Sequence, residues 1–165
     1  MGDKIVSNFG LAAHVGHVEL LVPRAEESLR FFTDVLGMSV VAHVGRSAYL
    51  RGWRDYERYT LKLTESPSAG VGHVAFRAPN DDALQLAAAL LADAGAEGTW
   101  VDGDEGHGPA YAFRDPDEHR LEFYYETTPY IAPLEFASAF KNQAARSTAR
   151  GAGVERLDHI NLASA

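Results

Sequence analysis

The chain has 165 residues, a formal net charge of −8, 46% hydrophobic and 23% charged residues, and no cysteine. That acidic balance excludes a general nucleic-acid binder, which needs clustered Lys and Arg for phosphate contact. The missing cysteines exclude a disulfide scaffold, a thiolate metal site and a cysteine nucleophile. No run of about 18 apolar residues occurs, so the expectation is a cytoplasmic protein that does not engage a membrane.

In chain order, His17–Val22 reads as a strand dense enough in apolar residues for burial on both faces, and Pro23 ends it. Glu26–Gly37 reads as a helix with Leu29, Phe32 and Leu36 on one stripe and Gly37 as its left-handed stop. Short strands are expected at Ser39–Val44, Ser47–Arg51 and Arg58–Leu63, with Gly45-Arg46 as a tight turn. The order is βαβββ. It then repeats: a strand at His73–Arg77, a helix over Asp81–Ala94 capped by Asn80, and strands at Gly98–Asp102, Ala110–Arg114 and Arg120–Tyr125. Asp115-Pro116-Asp117-Glu118 suits the turn before the last strand. Gly103–Gly108 reads as a flexible loop over a cleft. It lacks the Lys-Ser/Thr ending of a phosphate-binding loop. Tyr49, Trp53, Tyr56 and Tyr59 read as packing residues.

Residues 127–153 differ in kind. A helix is expected over Leu134–Arg146, followed by the linker-like stretch Ser147–Gly153. The chain then opens a third time: His14-Val15-Gly16-His17, Gly70-Val71-Gly72-His73 and Arg156-Leu157-Asp158-His159 each place a histidine at the head of an alternating apolar run. The first two heads, His17 and His73, are 56 residues apart. Internal repetition at such a period marks a repeated supersecondary unit. The organisation is therefore two modules, 14–65 and 70–126, within a domain over 12–126. A helical connector covers 127–153, and 154–165 would be the first strand of a further domain. The fold class is α+β, with two βαβββ modules paired around a cleft.

Equivalent positions in paired modules face each other, so His17 and His73 should meet across that cleft. Glu122 lies in the last strand, with Leu121 and Phe123 pointing the other way. Two neutral imidazoles and one carboxylate form the three-ligand set that binds Fe(II) and leaves positions open. A strand histidine taken singly is most often a packed or edge residue, and a strand glutamate a solvated one; only the repeat-equivalent placement favours a metal. Lys62, at the matching place in module one, is no ligand. His14, His43, His107 and His119 receive no role.

These residues carry a resemblance. The opening His17–Val22 with Ser28–Gly37, the strand Gly72–Phe76 and the run Asp115–Phe123 resemble the vicinal oxygen chelate superfamily: glyoxalase I, the bleomycin and fosfomycin resistance proteins and the type I extradiol dioxygenases. Tyr49–Trp53, Phe123–Glu126 and the restart Leu157–Asn161 resemble the last group, catechol 2,3-dioxygenases, which have two such domains. The resemblance implies an N-terminal portion of an Fe(II)-dependent, or alternatively Mn(II)-dependent, extradiol ring-cleavage enzyme acting on a small aromatic diol and O₂. His159 would be the first ligand of its catalytic domain. His17, His73 and Glu122 would be the equivalent positions of this domain, either vestigial or holding a metal of their own, and the fragment itself would be inactive. Self-association is expected, because a partner domain's contact surface would be exposed. Two departures from the resemblance stand out: Glu118 where glycine is usual, and Arg24-Ala25 in place of an acidic helix cap. The rival readings are a self-contained glyoxalase-like metalloenzyme using His17, His73 and Glu122, and a metal-free resistance-type binding protein.

Overall fold

The two histidine-headed runs become adjacent central strands of a single mixed sheet. The structure, a computed structural model, describes residues 10–163. The first half comprises β1 (His14–Val22), α1 (Ala25–Arg30), β2 (Ser39–Val44), β3 (Ser47–Arg51) and β4 (Leu61–Glu65). The second comprises β5 (Gly70–Arg77), α2 (Asp81–Asp93), β6 (Gly98–Val101), β7 (Ala110–Arg114) and β8 (Arg120–Tyr124). Strand order is β2-β3-β4-β1-β5-β8-β7-β6. In each half the last strand lies parallel beside the first, β4 on β1 and β8 on β5, and the halves meet where β1 and β5 run antiparallel. The architecture is the α+β pairing of two βαβββ modules that the repetition implies.

Period-two alternation sorts the side chains. On the helix side, Val22, Met38, Ala48, Leu50, Leu61 and Leu63 form one core, packed by Leu29, Phe32 and Leu36. Ala78, Leu84, Ala88 and Tyr111 form the second, with Leu91, Phe113 and Phe123 against it. Each fully buried Leu or Val contributes about 1.5–3 kcal/mol, so these two clusters help fix the register of β1, β3, β4, β7 and β8, the strands that supply them. The opposite face carries His17, Glu19, Lys62, His73, Glu122 and Tyr124.

The helices match expectation with one refinement. The first runs on from α1 as a π-helical segment, Phe31–Val35, and stops at Gly37, whose φ is +78°. Asn80 caps α2 by accepting a hydrogen bond from the Ala83 N–H at 2.8 Å. Glu118 has a φ of +67°, the left-handed turn geometry in which glycine is the easy choice.

Two expectations are corrected, and two C-terminal segments are described beside them. The strand expected at Arg58–Leu63 is displaced to Leu61–Glu65, because Asp55 gathers the preceding loop. Its carboxylate accepts from Gly52 N and from Thr60 Oγ1, both at 2.7 Å. The helix over Leu134–Arg146 does not form; only a 3₁₀ turn, Leu134–Phe136, is present. Its large apolar residues Leu134 and Phe140 find no surface, being 94% and 72% exposed, and an unpacked short helix does not sustain itself. The stretch before residue 154 is not a free linker. Ala152 and Val154 donate to the Val35 and Leu36 carbonyls at 2.7 and 3.0 Å, satisfying the open end of the first helix. Lastly, Leu157–Leu162 forms no strand among the described residues, since no neighbouring backbone offers it a ladder.

Candidate metal centre

Register across the seam builds the site. Glu19 on β1 lies opposite His73 on β5, and His17 lies opposite Ala75, which is beside Glu122 on β8. His17, His73 and Glu122 therefore converge, and each offers one ligand atom within 4.8 Å of the others. The two histidine Nε2 atoms are 2.8 Å apart. Glu122 Oε1 is 3.4 Å from His17 Nε2 and 3.6 Å from His73 Nε2. Lys62 of β4 pairs with Glu19 of β1 as Glu122 of β8 pairs with Ala75 of β5, which makes Lys62 the module-one counterpart of the carboxylate. It turns instead to Asp104 at 2.6 Å and Glu19 at 3.5 Å.

Burial and charge set the protonation states. His17 is 1% exposed. Burial, then the nearby His73, His107 and Lys62, hold its pKa well below the ordinary 6.5, which keeps the ring neutral as a ligand requires. Burial pushes Glu19 up, but hydrogen bonds from His73 and Thr64 and the Lys62 charge prevail and bring it down to about 2. Glu19 Oε2 lies 3.0 Å from His73 Nδ1, a carboxylate orienting an imidazole in the way metal-site histidines are oriented. Gly72 makes room for it: a Cβ there would collide with the Glu19 carboxylate. Burial raises the pKa of Tyr59 and Tyr124, so both remain neutral phenols in the wall of the site. A cavity of about 520 Å³, lined in part by Glu19, His73, Thr99 and Glu122, opens on the His73 side.

Sequence reasoning missed His107. Its Nε2 lies 3.7 Å from Glu122 Oε1, and its ring centroid is 5.2 Å from that of His17 and 4.6 Å from that of Tyr124. No periodicity marks a loop residue; its only signal was the flanking Gly106 and Gly108. Nor is that loop free. Asp104 accepts from Tyr49 Oη at 2.7 Å and Lys62 Nζ at 2.6 Å, and Glu105 pairs with Arg58. Tyr49 and Tyr59 are buried as expected, while Tyr56 is exposed. His159 joins no cluster among the described residues: its side chain is 83% exposed and meets only Asp158, at 3.7 Å.

Residues 14–123 match the Glyoxalase/Bleomycin resistance protein/Dioxygenase superfamily. The chain is similar to a metapyrocatechase of Geobacillus stearothermophilus, 46% identical over 150 residues that make up 91% of this chain and 46% of that protein. It is 36% identical over 152 residues, 91% of this chain and 48% of the other, to a manganese-dependent 2,3-dihydroxybiphenyl 1,2-dioxygenase of Geobacillus genomosp. 3. Among solved structures it resembles the homoprotocatechuate 2,3-dioxygenase of Brevibacterium fuscum, with a TM-score of 0.69 and 30% identity, covering 72% of this chain and 34% of that one. The chain spans about half the length of the curated relatives it matches. By this match and this sheet, the chain belongs to the Glyoxalase/Bleomycin resistance protein/Dioxygenase superfamily.

Proposed function

We propose that this chain is the N-terminal portion of a metal-dependent extradiol dioxygenase that opens catechol-type rings, with His159 the first metal ligand of its catalytic half. The observation that carries this reading is the 46% identity to a metapyrocatechase over 91% of the chain but 46% of that protein. Two features of the chain support it. The Asp158-His159-Ile160-Asn161 run repeats the heads of β1 and β5, and His159 has no role within the described domain. In such an enzyme the bound metal would hold and orient both diol oxygens and O₂. The choice is Fe(II) or Mn(II), both of which accept a mixed imidazole and carboxylate shell. In this reading residues 12–126 are the domain, 127–153 its connector, and 154–165 the start of the next. A cytoplasmic setting and self-association go with it. Among the described residues no helix is long and apolar enough to cross a membrane. Ile131, Leu134 and Phe140 are 87%, 94% and 72% exposed, a surface suited to being covered.

The test is O₂ uptake with catechol as probe, after loading with Fe(II) or Mn(II). A longer product of the same reading frame should consume O₂, this chain alone should not, and His159→Ala in the longer product should abolish uptake. Turnover by this chain alone would favour a self-contained metalloenzyme, the reading to which the convergence of His17, His73 and Glu122 lends its support. Full activity in the longer His159→Ala protein would refute the assignment of that ligand.

A further inference from the structure

We propose that the cavity between the end of β3 and the connector binds a small organic acid, its carboxylate held by Arg51, Arg146 and Arg150 and its flat body packed on Trp53 and Tyr130. The site uses none of His17, His73 and Glu122, and it stands whether or not the chain is part of a dioxygenase.

Arg51 is the residue that points to a ligand. Alternation along β3 puts Ala48 and Leu50 into the helix-side core, and Tyr49 and Arg51 on the opposite face. There residues 130–150 cover the strand end and leave Arg51 1% exposed. One Nη of the guanidinium donates to the Asp55 carbonyl, and Cζ lies 3.5 Å from the centroid of the Tyr130 ring. Neither contact neutralises the charge. The Asp55 carboxylate is occupied by the Gly52 N–H and Thr60 Oγ1, and among the described residues no carboxylate forms an ion pair with Arg51. Its Nε is buried and has no hydrogen-bond partner. Burial, opposed by Tyr130 and Asp55, lowers the Arg51 pKa from the ordinary 12.5, yet a guanidinium stays charged at neutral pH. A buried cation with an unused donor is costly, and a carboxylate beside it supplies both the missing charge and the missing acceptor.

The rest of the cavity carries the same sign. Its volume of about 360 Å³ suits one small molecule, and Arg146 and Arg150 of the connector line it without any acidic side chain. Neither arginine has an ion pair among the described residues; Arg146 donates only to the Glu135 carbonyl, at 2.6 Å. Three such arginines gather in a chain of net charge −8, so the local field opposes that of the whole molecule. The walls decide which anion fits. Trp53 Nε1 already donates to the Gly153 carbonyl at 3.2 Å, so Trp53 and Tyr130 offer ring surface more than polar groups. A flat organic acid uses both the rings and the arginines, whose planar forks match a carboxylate. Inorganic phosphate would use the arginines alone. Arg51 belongs to the sheet and the other two to the connector, so the ligand would also hold the connector down.

The probe is benzoate, titrated calorimetrically into the chain at low salt, with benzyl alcohol and inorganic phosphate as comparators. One benzoate per chain should bind with a Kd below about 1 mM, quench tryptophan fluorescence and slow tryptic cutting at Arg146 and Arg150. Benzyl alcohol, which lacks the charge, should bind at least about 10-fold more weakly, and so should phosphate, which lacks the ring. Arg51→Met should abolish binding. Arg146→Ala together with Arg150→Ala, both exposed in the parent chain, should leave the fold intact and weaken benzoate by about 10-fold or more, so this double variant holds the test if Arg51→Met does not fold. No saturable benzoate binding, or an unchanged affinity in the double variant, would overturn the site. Phosphate binding as tightly as benzoate would overturn the organic-acid assignment.

Discussion

Asp104→Asn tests how the His107 arm is held. The carboxylate accepts from Tyr49 Oη at 2.7 Å, Lys62 Nζ at 2.6 Å and the Glu105 N–H at 2.7 Å, joining the β6–β7 loop to β3 and β4. An amide keeps the shape but loses the charge and turns one acceptor into a donor. A hydrogen bond to a charged group contributes about 1.5–3 kcal/mol. The Asp104 side chain is 29% exposed and Lys62 retains Glu19, so partial screening reduces the expected loss to about 1–2 kcal/mol. The pH dependence separates charge from shape. Burial favours the neutral acid, but the hydrogen bonds from Lys62, Tyr49 and Glu105 prevail and hold Asp104 below the ordinary 3.8. A carboxyl whose folded pKa is depressed stabilises the fold fully above its unfolded value. That contribution is lost as pH falls through the folded pKa. In urea titrations the gap between the parent chain and Asp104→Asn should therefore be full at about pH 6 and shrink below about pH 4. A gap of the same size at both ends would refute the charge argument, and no gap at neutral pH would show that Asp104 does not anchor the loop.

Glu118→Gly should stabilise the protein by about 0.5–1 kcal/mol, because a left-handed φ of +67° suits glycine and the exposed partner Arg114, at 3.4 Å, contributes little. A calorimetric Tm higher by about 1–4 °C is expected, and a lower one counts against the turn strain. Gly37→Ala should do the reverse: at φ +78° its Cβ would meet the Arg150 carbonyl, costing about 1–2 kcal/mol. Docking of residues 150–154 on the first helix should loosen, so trypsin should cut at Arg146 and Arg150 faster than in the parent chain. Equal cleavage rates would mean that the helix end does not hold the connector.

Residues whose neighbours are local, or related by the repeat, were legible before any fold was known. The strand heads, the Asn80 cap, the Gly37 stop and the pairing of His17 with His73 follow from period, punctuation and internal symmetry, all properties of short windows. Glu122 followed from strand alternation. The chain order does not reveal His107, because a loop residue has no period and its position depends on Asp104 finding Lys62, 42 residues earlier. The expected helix over Leu134–Arg146 failed for a related reason: its apolar residues encode a tendency to pack, and packing requires a surface supplied from elsewhere. Likewise Leu157–Leu162 has the alternation of a strand without a ladder to join. Local pattern fixes which conformations are cheap. Burial of distant groups against one another selects among them, and that selection brings His17, His73 and Glu122 to one point.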